Sequence, residues 1–569
     1  MEKTPHTSEA MAFPPPSPGA EPKTDLETGD AGLQRTLSSR HLQFIAIGGT
    51  IGTGLFLGTA DALSSAGPVG SLLAFAFIGA VVFSVMTSLG EMATYIPVAG
   101  SFTAYASRFC DHSLGFAMGW TYWFSWSVTF ALELCAAGLI IQYWNSSLSV
   151  GIFIAVFWVV FTAINYMPVR WFGELEMWFS SIKVVTIVGW ILFAVCVNAG
   201  VGDEGYIGFK HWRQPGPFVE YMVDGATGKF LEMWFSSIKV VTIVGWIIFA
   251  VCVNAGVGDE GYIGFKHWSQ PGPFVEYMVD GATGKFVGFW SVLIIAGFSF
   301  QGSELVGIGA GECRDPAKSV PRAIRVTFWG IFCLFIATVF FLGLLVPSDD
   351  ERLLSGGKDA SASPLVIAAQ RAGVKVLPDI INAVLLTAVL SAANSNVYSG
   401  SRILLALASE GHAPQWIART NRHGTPHYAV AVTAAMGFLA FLNLSADGGV
   451  VFGWLLNIVA VAGFISWSCI SVCHLRFQAA LRLQGIDRAT LPYAAPLQPY
   501  LSWFGLFFIV LILLTNGFTV FIDWSTSDFF AAYVSLLIFL VLFVVHKAIF
   551  RGRPVKLSEV DLVKGRYDL

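Results

Sequence analysis

Ionisable side chains stand inside long apolar stretches of this 569-residue sequence. Glu133 and Glu304 each interrupt a hydrophobic run, and Lys183 does so in a stretch that is repeated around Lys239. Charge inside a membrane span is costly, so such residues usually serve a function. Glu133 could face a cationic substrate side chain. Lys183 or Lys239 could couple transport to protons, because a buried amine can lose its proton at accessible pH.

Structural roles for the same residues stay open. Glu133 and Glu304 could each form a satisfied pair between helices. The lysines could extend their ammonium groups to the near membrane interface.

A glycine-rich segment, GGTIGTGLF, occupies residues 48–56. Four glycines in seven residues disfavour a straight helix, since each costs about 1 kcal/mol relative to Ala. Inside a bundle such a segment can unwind and offer backbone N–H groups to an anion such as a carboxylate. The alternative is close helix packing through small residues. The candidate binding residues here are Thr50, Gly52, Thr53 and Gly54.

A second candidate break is FSFQGSE at residues 298–304. Backbone carbonyls freed there could take an ammonium group, and an aromatic ring could close over the substrate. The span that contains this break is the sixth when the repeated span is counted once. One break in the first span and one in the sixth is the pattern expected at the interface of transporter repeats. The polar stretch 391–396 could line the same cavity or pack tightly. The candidate binding residues of the second break are Phe298, Ser299, Phe300, Gln301, Gly302 and Glu304.

The elements that must position these residues are membrane spans. The chain is 55% hydrophobic and only 12% charged, whereas soluble domains carry about 25% charge. Apolar stretches near the roughly 20 residues that cross a bilayer predict thirteen candidate spans. They lie at 42–60, 69–90, 114–141, 150–168, 177–199, 233–255, 287–308, 326–347, 377–405, 427–444, 449–473, 500–522 and 529–546.

Basic residues set the orientation of these spans, because Lys and Arg favour cytoplasmic loops. Twelve spans put every basic cluster on the cytoplasmic side, and thirteen do not. We therefore expect a disordered cytoplasmic tail at 1–40, a transmembrane domain at 41–548 and a cytoplasmic tail at 549–569. Modifiable residues in the tails make ubiquitin-dependent trafficking machinery a candidate partner.

A tandem duplication explains the extra span. Residues 175–230 and 231–286 differ at only two positions, Leu192 against Ile248 and Arg213 against Ser269. Each copy holds one span and one long polar loop. We predict that one copy provides the fifth helix of a twelve-helix core, and that the other lies outside the bundle as an extra apolar helix.

Several motifs together resemble the fungal amino-acid permeases of the amino acid–polyamine–organocation superfamily. They are GGTIGTGLF (48–56), SLGEMATYIPVAGSF (88–102), YWFSWSVTFALEL (122–134), WFSSIKV, FSFQGSELVGIGAGE (298–312), DPAKSVPRAI (315–324), SAANSNVYSGSRIL (391–404) and WLLNI (454–458). The resemblance covers about 40–550 apart from the extra copy. It is greatest to permeases of broad or basic amino-acid range.

The resemblance implies an all-α polytopic fold with two five-helix inverted repeats and broken helices 1 and 6. It implies that the first break binds the substrate carboxylate, at Thr53, Gly54 and their neighbours. It implies that carbonyls of the sixth break, at 298, 299 and 301, bind the amino group. It also implies proton coupling through the fifth-helix lysine. Val459 stands where the family usually has a small polar residue, and Cys135 stands where basic-amino-acid permeases often have Ser or Thr. Both departures weaken the basic assignment.

The sequence thus predicts a proton-coupled amino-acid importer of the plasma membrane, working by alternating access in the lipid bilayer. We find no phosphate-binding loop, nucleophile triad, metal-ligand spacing or nucleic-acid-binding patch, so we expect no enzyme activity, no cofactor and no nucleic-acid partner. The alternatives are a transporter-like amino-acid sensor with little flux, and a transport-impaired product of the duplication.

Overall fold

The computed structural model describes a large part of the chain. The described residues are 50, 52–98, 101–145, 147–167, 246–247, 249–251, 253–254, 262–308, 310, 313, 315–354, 363–371, 376–421, 425–444, 448–521 and 524–566. Lys183 and Lys239 lie outside them, as do the first copy of the duplication and the N-terminal tail.

The described chain is built of helices. The α-helices, numbered α1 to α16, are Thr53–Phe56, Gly58–Tyr95, Phe102–Tyr105, His112–Gln142, Val150–Tyr166, Lys266–Ser269, Gly281–Phe300, Leu305–Ile308, Pro316–Leu345, Glu351–Leu354, Pro364–Arg371, Leu377–Ser409, His427–Ala435, Gly448–Leu483, Tyr500–Thr515 and Thr526–Phe550. A π-helix covers Ala106–Cys110, and 3-10 helices cover Gln415–Ala418, Met436–Leu444, Arg488–Thr490, Phe518–Phe521 and Leu557–Glu559.

Nine helical stretches within the described residues are long and apolar enough to cross a membrane. They coincide with nine of the predicted spans, and the shorter apolar helix α5 matches a tenth. The predicted span at 177–199, most of the one at 233–255, and residues 42–49 and 51 of the one at 42–60 fall outside the described residues. The described end of the span at 42–60 contains α1 and the start of α2. The all-helical polytopic membrane fold predicted from the sequence is confirmed.

Two groups of helices make the core of the bundle. Helix α4 packs along α12 and α14, while α2 packs along α7 and α9. Large aromatic side chains such as Phe130, Phe335 and Phe464 are fully buried between them. The site described below lies where α4, α7 and α14 meet the short helix α1.

The first two predicted spans meet at a sharp turn inside α2. Gly67 has φ 72° and precedes Pro68. A side chain at Gly67 would meet the backbone of Phe274 at 3.0 Å, so both the dihedral and the space require glycine. Backbone hydrogen bonds from Val69 N to Pro273 O (3.0 Å) and from Val275 N to Ala66 O (3.3 Å) fasten the turn to the following loop.

That loop belongs to the second copy of the duplication. Trp268 packs edge-on against Phe340 of α9, with ring centroids 5.4 Å apart. The helical residues Trp246, Ala250 and Val253 of the same copy are buried in the hydrophobic core. The described part of the second copy is therefore integrated into the bundle.

Candidate functional site

The glycine-rich segment of the first span contains a break. Thr50 is helical, Gly52 is extended (φ −145°, ψ −155°), and the short helix α1 begins at Thr53. A Cβ at Gly54 would lie 2.8 Å from the Phe298 ring and 2.9 Å from Ser299 Cα. Glycine therefore allows the first break to approach α7 closely. Gly48, Gly49 and Ile51 fall outside the described residues.

The sixth span is broken at the predicted place. Helix α7 ends at Phe300, Gln301 is extended (φ −62°, ψ 147°), and Gly302 adopts φ 94°, which favours glycine. Helix α8 begins at Leu305. The Gln301 amide donates hydrogen bonds to the carbonyls of Val459 (3.2 Å) and Ala460 (2.9 Å) in α14, so the break is held against that helix.

Glu133 stands between the two breaks. Its side chain is only 3% exposed, and its Oε1 accepts a 3.3 Å hydrogen bond from the Thr53 hydroxyl. A Cβ at Gly52 would lie 3.7 Å from the same oxygen. The acid therefore faces the backbone of the first break.

Glu304 joins three helices. Its carboxylate accepts hydrogen bonds from Tyr122 Oη of α4 (3.4 Å), Trp467 Nε1 of α14 (3.3 Å) and the Gly302 N–H (3.1 Å). The side chain is 4% exposed. Through these hydrogen bonds Glu304 stabilises the sixth break against α4 and α14.

These groups line one cavity of about 60 Å³. Nine of the candidate binding residues contribute to it: Thr50, Gly52, Thr53, Gly54, Glu133, Phe298, Gln301, Gly302 and Glu304. Ser299 and Phe300 do not line it. The Ser299 hydroxyl bonds to Ile295 O at 2.9 Å, and Phe300 packs against the rings of Phe75 and Phe335.

Sequence reasoning missed part of the lining. Tyr122, Ser125, Trp126 and Thr129 line the cavity along with Glu133. They recur every three or four residues and so share one face of α4, a spacing that could have identified them. Gly463 of α14 is a further lining residue, and only packing reveals its place.

Residues of the polar stretch 391–396 both line the cavity and pack between helices. Ala392 and Asn396 line the cavity. Asn394 instead accepts a 2.9 Å hydrogen bond from the Asn165 amide, which ties α12 to α5.

Glu91 has a different environment from the cavity acids. It is fully buried, and Arg488 binds it through Nε (2.8 Å) and Nη2 (2.6 Å). The Ala495 N–H donates a third bond at 2.7 Å. Its charge is thus compensated by the loop that follows α14, which is a structural role.

The chain matches the amino acid permease family over residues 41–233 and 225–559. This chain belongs to the amino acid permease family. The two matched stretches meet at the junction between the duplicated copies, at residues 230 and 231. The two matched stretches of the permease overlap at residues 225–233, across that junction.

Curated relatives cover nearly the whole permease. A basic amino-acid permease of Saccharomyces cerevisiae is 42% identical, over 94% of this chain and 84% of the relative. A lysine-specific permease of the same yeast is 39% identical, over 96% and 81%. A proline-specific permease of Emericella nidulans is also 39% identical, over 96% and 92%. Among solved structures, a manganese transporter of Eremococcus coleocola covers 92% of this chain and 98% of its own, with a TM-score of 0.48 and 10% identity.

Proposed function

We propose that this permease imports basic amino acids across the plasma membrane, with protons, by alternating access. The observation that carries the substrate class is Glu133, a buried carboxylate facing the cavity between two helix breaks. A carboxylate that faces a water-poor cavity can bind a cationic side chain, because opposite charges attract more strongly there than in water. Relatives named basic and lysine-specific permeases support the same class.

The two breaks suit the invariant part of an amino acid. Backbone N–H groups near Thr53 and Gly54, at the start of α1, would receive the substrate carboxylate. Backbone carbonyls near Phe298 and Gln301, at the end of α7, would receive the ammonium group. Glu133 would then bind the side chain of the substrate.

The size of the cavity supports alternating access. Its volume of about 60 Å³ is well below the roughly 300–1,000 Å³ of common ligand sites. An amino acid can enter only if the surrounding helices move apart. Because Gln301 and Glu304 are bound to α14, movement of that helix would reshape the sixth break.

For proton coupling we propose Lys239 rather than Lys183. The repeated span can occupy the fifth-helix position only once in a twelve-helix core. The later part of the apolar span in the second copy, at Trp246, Ala250 and Val253, is buried in the core. The loop that follows in the chain is docked against α2 and precedes α7. Both termini would then be cytoplasmic, as the positive-inside bias favours.

The test is uptake of labelled arginine by fungal cells that lack their own amino-acid permeases. Competition by lysine but not by proline, together with loss of uptake in a proton uncoupler, is expected. Competition by proline alone would replace the basic assignment with the substrate of the Emericella relative. Uptake that persists in the uncoupler would exclude the proton mechanism.

A further inference from the structure

The chain after the last span follows the end of the bundle and is not a free tail. Residues 551–566, which we name the C-terminal strap, have little regular structure beyond the single turn Leu557–Glu559. The Val555 N–H donates a 2.9 Å hydrogen bond to Cys110 O. The strap therefore depends on contacts with the rest of the protein for its shape.

Arg108, just before α4, binds the C-terminal strap at Asp561 and Lys564. Its Nε donates to Asp561 O at 2.6 Å and its Nη2 to Lys564 O at 2.5 Å. The same Nη2 lies 3.1 Å from the Asp561 carboxylate. That carboxylate also accepts the N–H groups of Val563 (3.0 Å) and Lys564 (2.9 Å), which shapes the strap into a turn around the arginine.

Helix α14 holds the strap from the other side. Arg476 donates from Nε to Phe109 O at 2.6 Å and from Nη2 to Val555 O. The Gln484 amide donates to Val560 O at 2.7 Å. Arg476 thus joins α14, the segment before α4 and the strap in one contact group.

Apolar burial fixes the strap further. Leu562 is 1% exposed and belongs to the main hydrophobic core, whereas its neighbour Val563 is 72% exposed. The guanidinium of Arg566 lies 6.0 Å from the centre of the Tyr95 ring, at the end of α2. The strap therefore touches the end of α2, the π-helix Ala106–Cys110 that leads into α4, and the end of α14.

Those three helices also shape the cavity or its neighbourhood. Helix α4 carries Glu133, α14 binds Gln301 and Glu304, and α2 continues from the first break. Between cavity and strap lies an aromatic layer, in which the Phe477 ring contacts the rings of Tyr95 (5.8 Å) and Phe109 (5.5 Å).

We propose that the C-terminal strap restrains the opening of the cavity on the side of the C-terminus, by joining the ends of α2, α4 and α14. The direction of flux rests on the transport function proposed above, but the restraint itself does not. When the strap is released, the aromatic layer separates more readily and substrate exchange on that side becomes faster.

Leu562→Asp tests the restraint, with Val563→Asp as the matched control at the adjacent exposed position. The first readout is the rate at which a maleimide modifies Cys469 in the purified permease, measured by peptide mass spectrometry. Cys469 is 5% exposed and lies two residues from Trp467, which contacts Glu304. It stands in α14 between the cavity contact Trp467 and the strap contact Arg476, so its labelling reports separation of the bundle at that level.

We expect Leu562→Asp to raise the labelling rate about fivefold, because the strap loses its buried apolar contact with the core. Val563→Asp should leave the rate unchanged. The second readout is efflux of labelled arginine from preloaded cells, corrected for surface protein, and the same rise is expected. If Leu562→Asp does not reach the membrane, a chain ending at Arg553 takes its place.

Equal Cys469 labelling in wild type and strap-released protein would overturn the restraint. Faster labelling without faster efflux, in cells where the wild type transports, would also overturn it. Absence of wild-type flux would instead contradict the proposed function, and the labelling comparison would still decide the restraint.

Discussion

The Thr53 hydroxyl donates a 3.3 Å hydrogen bond to Oε1 of Glu133, so the break of the first span and the acid of α4 are directly connected. Both residues line the cavity, and Glu133 is almost fully buried. A substrate cation that binds the carboxylate would change this contact at the helix break itself. In the transport function proposed above, the pair would link recognition of the substrate side chain to movement of the first span.

Replacing Glu133 by Gln should weaken basic substrates selectively. Loss of a hydrogen bond to a charged group costs about 1.5–3 kcal/mol, which corresponds to roughly a 10- to 100-fold rise in the KM for arginine. Any neutral amino acid that is transported should be affected much less. Uptake kinetics for arginine and for a neutral substrate, with Glu133→Asp as the charge-preserving control, measure the difference. A similar loss for both substrates would assign the acid a structural role.

Replacing Gly54 by Ala should abolish transport while the matched change Gly330→Ala has little effect. The added Cβ at Gly54 would clash with the Phe298 ring at 2.8 Å and with Ser299 Cα at 2.9 Å. Over-packing of this kind costs about 1–3 kcal/mol and would push the two breaks apart. At Gly330 no atom lies within 4 Å. Arginine uptake per surface molecule should separate the two variants, and equal activities would remove the close-approach argument.

The duplication supplies matched variants for its own test. Trp268→Ala removes a side chain packed against Phe340, while Trp212→Ala changes the equivalent residue of the first copy. We expect the first change to lower the thermal stability of the purified protein, since the half-buried Trp268 side chain contributes about 1–2 kcal/mol of apolar burial. The second change should have little effect. An equal loss of thermal stability in the two variants would contradict the prediction that only the second copy is integrated into the bundle.

The lysines of the two copies give the corresponding functional comparison. Lys239→Ala should abolish proton-driven uptake, and Lys183→Ala should leave it close to wild type. Arginine uptake across an imposed pH gradient in proteoliposomes measures both. The reverse pattern would assign the coupling role to the first copy.

Asp350 should stabilise the segment that follows α9 over the whole physiological pH range. Burial alone would raise the pKa of Asp350, but hydrogen bonds from Arg352 and Arg371 lower it from 3.8 to about 2. Because the folded pKa is depressed, the stabilisation is present above about pH 4 and is lost as the pH falls towards 2. We expect Asp350→Asn to reduce stability by about 1–3 kcal/mol, by an amount that is constant between pH 5 and 8.

Thermal unfolding of purified protein at several pH values measures this effect. The exposed neighbour Asp349 provides the control variant Asp349→Asn, which should match the wild type. A stability difference that grows between pH 5 and 8 would contradict the assignment, because the carboxylate would then be titrating there.

Local patterns predicted the helices and the breaks because both follow from short-range chemistry. Apolar length defined the spans, and glycines beside polar residues marked the interruptions at Gly52 and Gln301. The helical spacing also predicts which face of α4 lines the cavity, provided that Glu133 is first assumed to point into it. The residues on that face are Tyr122, Ser125, Trp126 and Thr129. The sequence did not predict that Phe300 points away from the cavity. Next to a helix break, side-chain directions no longer follow the helical period.

The sequence by itself determined that this is a polytopic helical permease with two interrupted spans and a duplicated segment, since hydrophobic length, glycine content and repetition are properties of the chain alone. Only the tertiary structure decided that Glu304 is braced by Tyr122 and Trp467, that the second copy packs into the core, and that Arg108 binds the C-terminal strap. These contacts join residues far apart in the chain. Their geometry depends on how whole helices pack, and no local pattern in the sequence encodes that.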